Sequence, residues 1–155
     1  MTKSDLPDEL RVRAWMSPPE HTIDPDSFVD DAFRVMRRAD VRHLLVTKGE
    51  ELAGVVTDRD LRRPDWSDGE VLSARDMYRF GDELRVYDVM TSEVITVQLD
   101  DATAFAARLM VENKINCLPV LQGDKVVGII TSSDLLGALV REVDPELMEM
   151  REAMA

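Results

Sequence analysis

A chain of 155 residues with a formal net charge of −12, 45% hydrophobic and 32% charged side chains, has the composition of a globular protein able to bury a sizeable core. So acidic a surface repels nucleic acid and anionic membranes, neither of which is expected as a partner, and no apolar run is long enough to span a bilayer. The opening MTKSDLPDEL has no apolar stretch of the signal-peptide or anchor kind, and the single cysteine, Cys117, fits a reducing compartment, so a cytoplasmic location is expected.

Residues 1–11 read as a tail. A short apolar segment near Thr22 leads into DPDSFVDDAFRVMRR, where Val29, Ala32, Phe33 and Met36 recur at helical spacing, with Asp and Ser ahead of them as N-caps. Two strand-like runs follow, HLLV and LAGVVT, joined by a turn at Gly49, and a second helix starts after Thr57. The connector PDWSDGEVLSARDMYRFGDEL opens as loop, and its later part has room for a short helix. The order then recurs: an apolar segment near Thr96, a helix carrying Thr103, Ala106, Ala107 and Met110, the runs CLPVL and VVGIIT turning at Gly123, and a helix after Thr131. At the C-terminus VDPELMEMREAMA has Asp144 as cap and Pro145 at the first helical position. Its stripe of Leu147, Met150 and Met154 packs either on its own domain or on a partner subunit.

The recurrence is a duplication. A shift of 74 positions carries Met16 onto Met90 and, without a gap, Val12 onto Val86, Thr22 onto Thr96, Met36 onto Met110, Val46 onto Val120, Gly54 onto Gly128 and Asp60 onto Asp134. Chance does not hold register over so long a stretch. The expected fold is mixed α/β (α+β): two tandem β-α-β-β-α units, 12–66 and 86–140, with 67–85 as connector and 141–155 as a C-terminal helix. Each unit is too small to be stable alone, so the two are expected to pack together.

The most similar phrases are GVVTDRDL at 54–61 and GIITSSDL at 128–135. Thr57-x-x-Asp60 and Thr131-x-x-Asp134 have capping-box spacing, and a strand-to-helix corner needs nothing more for stability. The same corner presents a threonine hydroxyl and backbone N–H groups to phosphate oxygens, and a carboxylate that can accept both hydrogen bonds of a ribose diol. No catalytic pattern accompanies it. GEELAGVV has two glycines at phosphate-loop spacing, but Val55 and Val56 stand where Lys and Ser/Thr are required. There is no G-x-S-x-G elbow, dinucleotide fingerprint or paired-histidine motif, and His21 and His43 are the only histidines. Neither catalysis nor a metal is expected.

On these phrases, together with WMSPPEHTI and VMTSEVITV at the leading strands and VRHLLV and INCLPV before the middle strands, the chain resembles a tandem pair of CBS domains, the Bateman module. The resemblance spans nearly all of Val12–Val140. It implies side-by-side packing with two clefts, an adenine nucleotide (AMP, ADP or ATP) as ligand, a homodimer, and an effector protein of unknown identity. It further implies that Asp60 and Asp134 take ribose, that Thr57 and Thr131 sit beside them, and that Thr22, Ile23, Thr96 and Val97 border adenine. Arg42 and Arg59 lie next to contact positions of the family and are expected to take phosphate, and His43, Val55 and Asp58 are further candidate ligand contacts of the first copy; Asn116, Cys117, Pro119, Ile129 and Ser132 are those of the second. A ligand-free dimerisation scaffold, or a sensor of S-adenosylmethionine or NAD(H), fits the same phrases.

The copies differ in charge. Between 34 and 63 there are eight cations (Arg34, Arg37, Arg38, Arg42, Lys48, Arg59, Arg62, Arg63) against five carboxylates (Asp40, Glu50, Glu51, Asp58, Asp60), whereas 108–137 has three of each. The first copy is therefore expected to be the dominant phosphate site.

Overall fold

A computed structural model describes residues 5–19, 21–62, 84–144 and 146. Arg63, most of the connector with its expected helix, Pro145 and the Leu147, Met150 and Met154 stripe lie outside them.

The elements are β1 (Thr22–Ile23), α1 (Val29–Ala39), β2 (His43–Lys48), β3 (Glu51–Thr57), α2 (Asp58–Leu61), α3 (Val86–Val89), β4 (Val97–Gln98), α4 (Thr103–Asn113), β5 (Cys117–Gln122), β6 (Lys125–Thr131) and α5 (Ser132–Val143). They build two three-stranded sheets, β1-β2-β3 and β4-β5-β6, in which the first strand runs parallel to the second and the second antiparallel to the third. The mixed α/β architecture expected from the sequence is the one observed.

The duplication extends to backbone detail. α1 ends on Asp40 at φ 53° and α4 on Lys114 at φ 54°, both left-handed caps that let the chain reverse into the following strand. The hairpins turn on Gly49 and Gly123 at φ 62° and 63°, where a side chain would be strained. Both hairpins shift register at the same place, after Val46 and after Val120.

Each sheet buries one face under its helix. In the first, Ile23, Leu44, Val46 and Val56 meet Val29, Ala32 and Met36 of α1; in the second, Val97, Leu118, Val120 and Ile130 meet Ala106 and Met110 of α4. Strand alternation explains the choice, since every second residue of a strand shares a face.

The compact units and the sequence repeats are cut at different points. One unit comprises 19–94; the other comprises 1–18 and 95–155. Val86 and Val89, from the start of the second repeat, complete the core around β1–β3, and Val12, from the start of the first, completes the core around β4–β6. The seams correspond: Val86 N donates to Ser27 O at 2.8 Å, and Val12 N donates to Asp101 O at 2.9 Å.

This exchange also corrects the capping expected at α1 and α4. The residues before these helices are Phe28 and Ala102, with no capping side chain of their own. At α1 the first free donor, Val29 N, is satisfied instead by Leu84 O at 2.9 Å, and Asp31 accepts from Phe28 N at 3.2 Å. At α1 a backbone carbonyl from the end of the connector meets the first donor, Phe28 O accepts from Asp31 N at 3.0 Å, and no Asp or Ser side chain is the N-cap of either helix.

Candidate functional site

The face of each sheet opposite its helix gathers the residues singled out by the sequence. In the first sheet, Thr22, Leu45 and Val55 stand in register across β1, β2 and β3, with His43 opposite Thr57 two residues along. In the second, Pro119 lies opposite Ile129 and Cys117 opposite Thr131. Ile23 and Val97 point the other way, into their cores at 7% and 2% exposure, so only their backbone can meet a ligand.

Both corners form the capping box. Thr57 holds extended geometry (φ −113°, ψ 163°); its Oγ1 accepts from Asp60 N at 3.1 Å while its N–H donates to Asp60 Oδ2 at 2.9 Å. Thr131 (φ −115°, ψ 166°) repeats this with Asp134 at 3.3 and 2.8 Å, and its hydroxyl also donates to Asp134 Oδ2 at 3.0 Å. One further backbone bond extends each hairpin into the corner: Asp58 N to Arg42 O at 3.0 Å, and Ser132 N to Asn116 O at 2.9 Å. Arg42, His43, Thr57, Asp58 and Asp60 are thus drawn together at the first corner, and Asn116, Cys117, Thr131, Ser132 and Asp134 at the second. Among the described residues, Oδ1 of Asp60 and of Asp134 accepts no hydrogen bond.

Five cations of the first repeat fall into two groups. Arg34 pairs with Asp30 and Asp31, Lys48 bridges Asp24 and Asp26 at 3.2 and 2.9 Å, and Arg37 lies over the Phe33 ring. Arg42 and Arg59, both exposed beside the corner, form no ion pair among the described residues. His43 is half-buried. Desolvation holds its imidazole below the ordinary histidine range; Asp58 opposes that, Arg42 adds to it, and Asp60 opposes it.

Sequence reasoning missed the neighbours of the two phrase glycines. Val55 exchanges backbone bonds of 3.0 and 2.9 Å with Thr91, and Ile129 does the same with Ser17 at 3.0 and 2.9 Å. These bonds commit the backbone N–H and C=O of Val55 and Ile129. The segment lies so close that a Cβ on Gly54 would sit 2.5 Å from Thr91 O and 2.9 Å from Met90 Sδ. On Gly128 it would sit 2.6 Å from Ser17 O and 3.0 Å from Met16 Sδ. The signal was present in the shift that carries Met16 onto Met90 and Gly54 onto Gly128; what it lacked was the crossing of partners.

Among the described residues no cluster of His, Cys, Asp and Glu could hold a metal ion, and no helix is long and apolar enough to cross a membrane.

The family profile for the CBS domain matches residues 12–65 and 86–141. The mitochondrial CBS domain-containing protein CBSX3 of Arabidopsis thaliana is 32% identical over 81% of this chain, which spans 59% of that relative's length. The crystal structure of the CBS-pair protein CBSX2 from Arabidopsis thaliana matches 84% of this chain and 94% of its own, with a TM-score of 0.73 and 30% identity. A structure of CBSX2 in complex with AMP matches 84% of this chain and 96% of its own, with a TM-score of 0.69 and 28% identity.

Proposed function

The chain belongs to the CBS-domain family, and on that premise we propose that it is a regulatory module that binds a phosphorylated adenosine of the AMP, ADP or ATP type and signals through a partner protein, without catalysing a reaction. The observation that carries this reading is the pair Arg42 and Arg59. They flank the Thr57–Asp60 corner without a carboxylate partner among the described residues, whereas Asn116 and Ser133 stand at the equivalent places. In this reading Asp60 accepts the ribose diol on Oδ1, the two arginines take phosphate, and the Thr22–Ile23 backbone borders adenine beside the Val55 side chain. AMP in the related CBSX2 structure supports the ligand class.

A ligand-free scaffold is the second reading, and a specific observation favours it: both capping boxes close on themselves, so Thr57 and Thr131 already have partners. The neutral second corner leaves S-adenosylmethionine or NAD(H) as further ligands. Thermal denaturation of the full chain with AMP, ADP, ATP, S-adenosylmethionine or NADH separates these readings. A ligand at a hundred times its dissociation constant adds about 2.7 kcal/mol. Stabilisation by the adenosine phosphates is the expected result, and none by any compound points to the scaffold.

We read the assembly as a C₂ homodimer, the commonest closed arrangement, and the location as cytoplasmic, from the single cysteine. Light scattering should give twice the 17.5 kDa chain mass at micromolar concentration; the single-chain mass with and without nucleotide contradicts the dimer.

A further inference from the structure

The two corners differ in one group that can change charge near neutral pH. His43 stands at the start of β2 where the second repeat has Cys117, each opposite the threonine of its capping box. The charged groups acting on the imidazole are Asp58 and Asp60 of α2 and the adjoining Arg42. β1 and β3 bring Thr22 and Thr57, which do not titrate near neutrality. α1 packs on the opposite face of the sheet, and Asp30, Asp31, Arg34, Arg37 and Arg38 belong to that side.

At this corner the two arginines, Arg42 and Arg59, are balanced by the two carboxylates, Asp58 and Asp60. A phosphate monoester brings up to two further negative charges into a half-buried place. Asp58 makes matters worse for the anion, and the second repeat has Ser132 there. Histidine alone among the corner's side chains changes charge between about pH 5 and 8. In the free protein burial favours the neutral ring; an anion within a few ångströms favours the imidazolium.

We propose that His43 couples ligand binding to proton uptake: a phosphorylated adenosine enters the first corner together with a proton on the His43 ring. Affinity there rises as pH falls through neutrality, and the second corner has no such response. The proton comes from solvent, adds to the free ring nitrogen, and returns to solvent when the ligand leaves. The proposal rests on the reading of the first corner as a phosphate-binding adenosine site, and it adds a charge-sensing residue that separates AMP from adenosine.

Calorimetric titration of AMP and of adenosine into the full chain and into His43→Gln, in buffers of different ionisation enthalpy from pH 6.5 to 8, counts the protons. The wild type should take up a large fraction of one proton with AMP and close to none with adenosine, and His43→Gln close to none with either. Comparison with the variant removes the titration of the AMP phosphate itself. The wild-type advantage should grow by roughly 3- to 10-fold per pH unit of acidification, tenfold being the limit for one linked proton. A His21→Gln chain retains a single imidazole, whose proton NMR titration should move to higher pH when AMP is added; this readout stands even if His43→Gln fails to fold. Equal proton counts in wild type and His43→Gln, or an imidazole midpoint that does not rise, overturn the proposal while leaving the nucleotide site intact. Absence of binding by both AMP and adenosine overturns the underlying reading, and the proposal with it.

Discussion

The proposed function gives Asp60 two tasks on one carboxylate. Oδ2 closes the capping box on Thr57 N at 2.9 Å, and in the proposed reading Oδ1 meets a ribose hydroxyl. The spacing alone makes the capping task legible, because a threonine three residues before an aspartate is recognisable wherever a strand meets a helix, whereas the ribose task comes from the resemblance to CBS domains. Its neighbour His43 was legible only as a position; burial and the carboxylates around it come from the hairpin that sets it opposite Thr57. Its folded-state pKa lies below the unfolded value of about 6.5. Between those two values the unfolded chain therefore binds the proton more readily than the folded chain does. Its contribution to stability is full above about pH 6.5 and is lost as pH falls from there through the folded value. In urea denaturation without ligand, wild type should lose more stability than His43→Gln between pH 7.5 and 5.5. An equal loss in both proteins contradicts the burial of a neutral ring.

At the level of elements, the periodicities of 3.6 and 2 located the helices and strands, and glycines marked the hairpin turns. The capping of α1 escaped because its donor is met by Leu84 O, far away in sequence, and no local pattern encodes that. The glycines of the two strand phrases show the same limit. Gly54 reads as part of a nucleotide phrase, yet its immediate physical cause is the Thr91 carbonyl 2.5 Å from where a Cβ would lie. That carbonyl accepts from Val55 N at 3.0 Å and cannot retreat without breaking the bond. Gly54→Ala and Gly128→Ala should each destabilise by about 1–3 kcal/mol, as overpacking does. Gly49→Ala meets open space but keeps a φ of 62°, so its cost should be purely conformational, about 1–2 kcal/mol. Chemical denaturation measures all three. A neutral Gly54→Ala contradicts the close approach of Thr91.

For the whole molecule, the exchange means that neither repeat contains a complete core. Residues 1–66 hold β1–β3 and α1 but lack Val86 and Val89, which are 0% and 7% exposed in the core they complete. That fragment should lack cooperative unfolding by circular dichroism, whereas the full chain should unfold cooperatively; a stably folded fragment contradicts the exchange. The duplication itself was fully legible, because one shift aligns side chains from Val12 to Leu135. The crossing of segments was not, because both sheets offer the same glycine-backed strand to either Met16 or Met90, and sequence identity cannot say which meets which. What separates the two corners is charge, and charge is where the proposed function is most exposed to test. Calorimetric titration of AMP into wild type, Asp60→Asn and Asp134→Asn, with folding checked independently, addresses it directly. Hydrogen bonds to a charged acceptor contribute roughly 1.5–3 kcal/mol each and neutral ones roughly 0.5–1.5, and Asn keeps a neutral acceptor, so a loss of about 1–2 kcal/mol is expected for Asp60→Asn, or about 5- to 30-fold in affinity, with the tightest binding event nearly unchanged in Asp134→Asn. Binding abolished by Asp134→Asn and retained by Asp60→Asn, or no binding of AMP to the wild type, contradicts it.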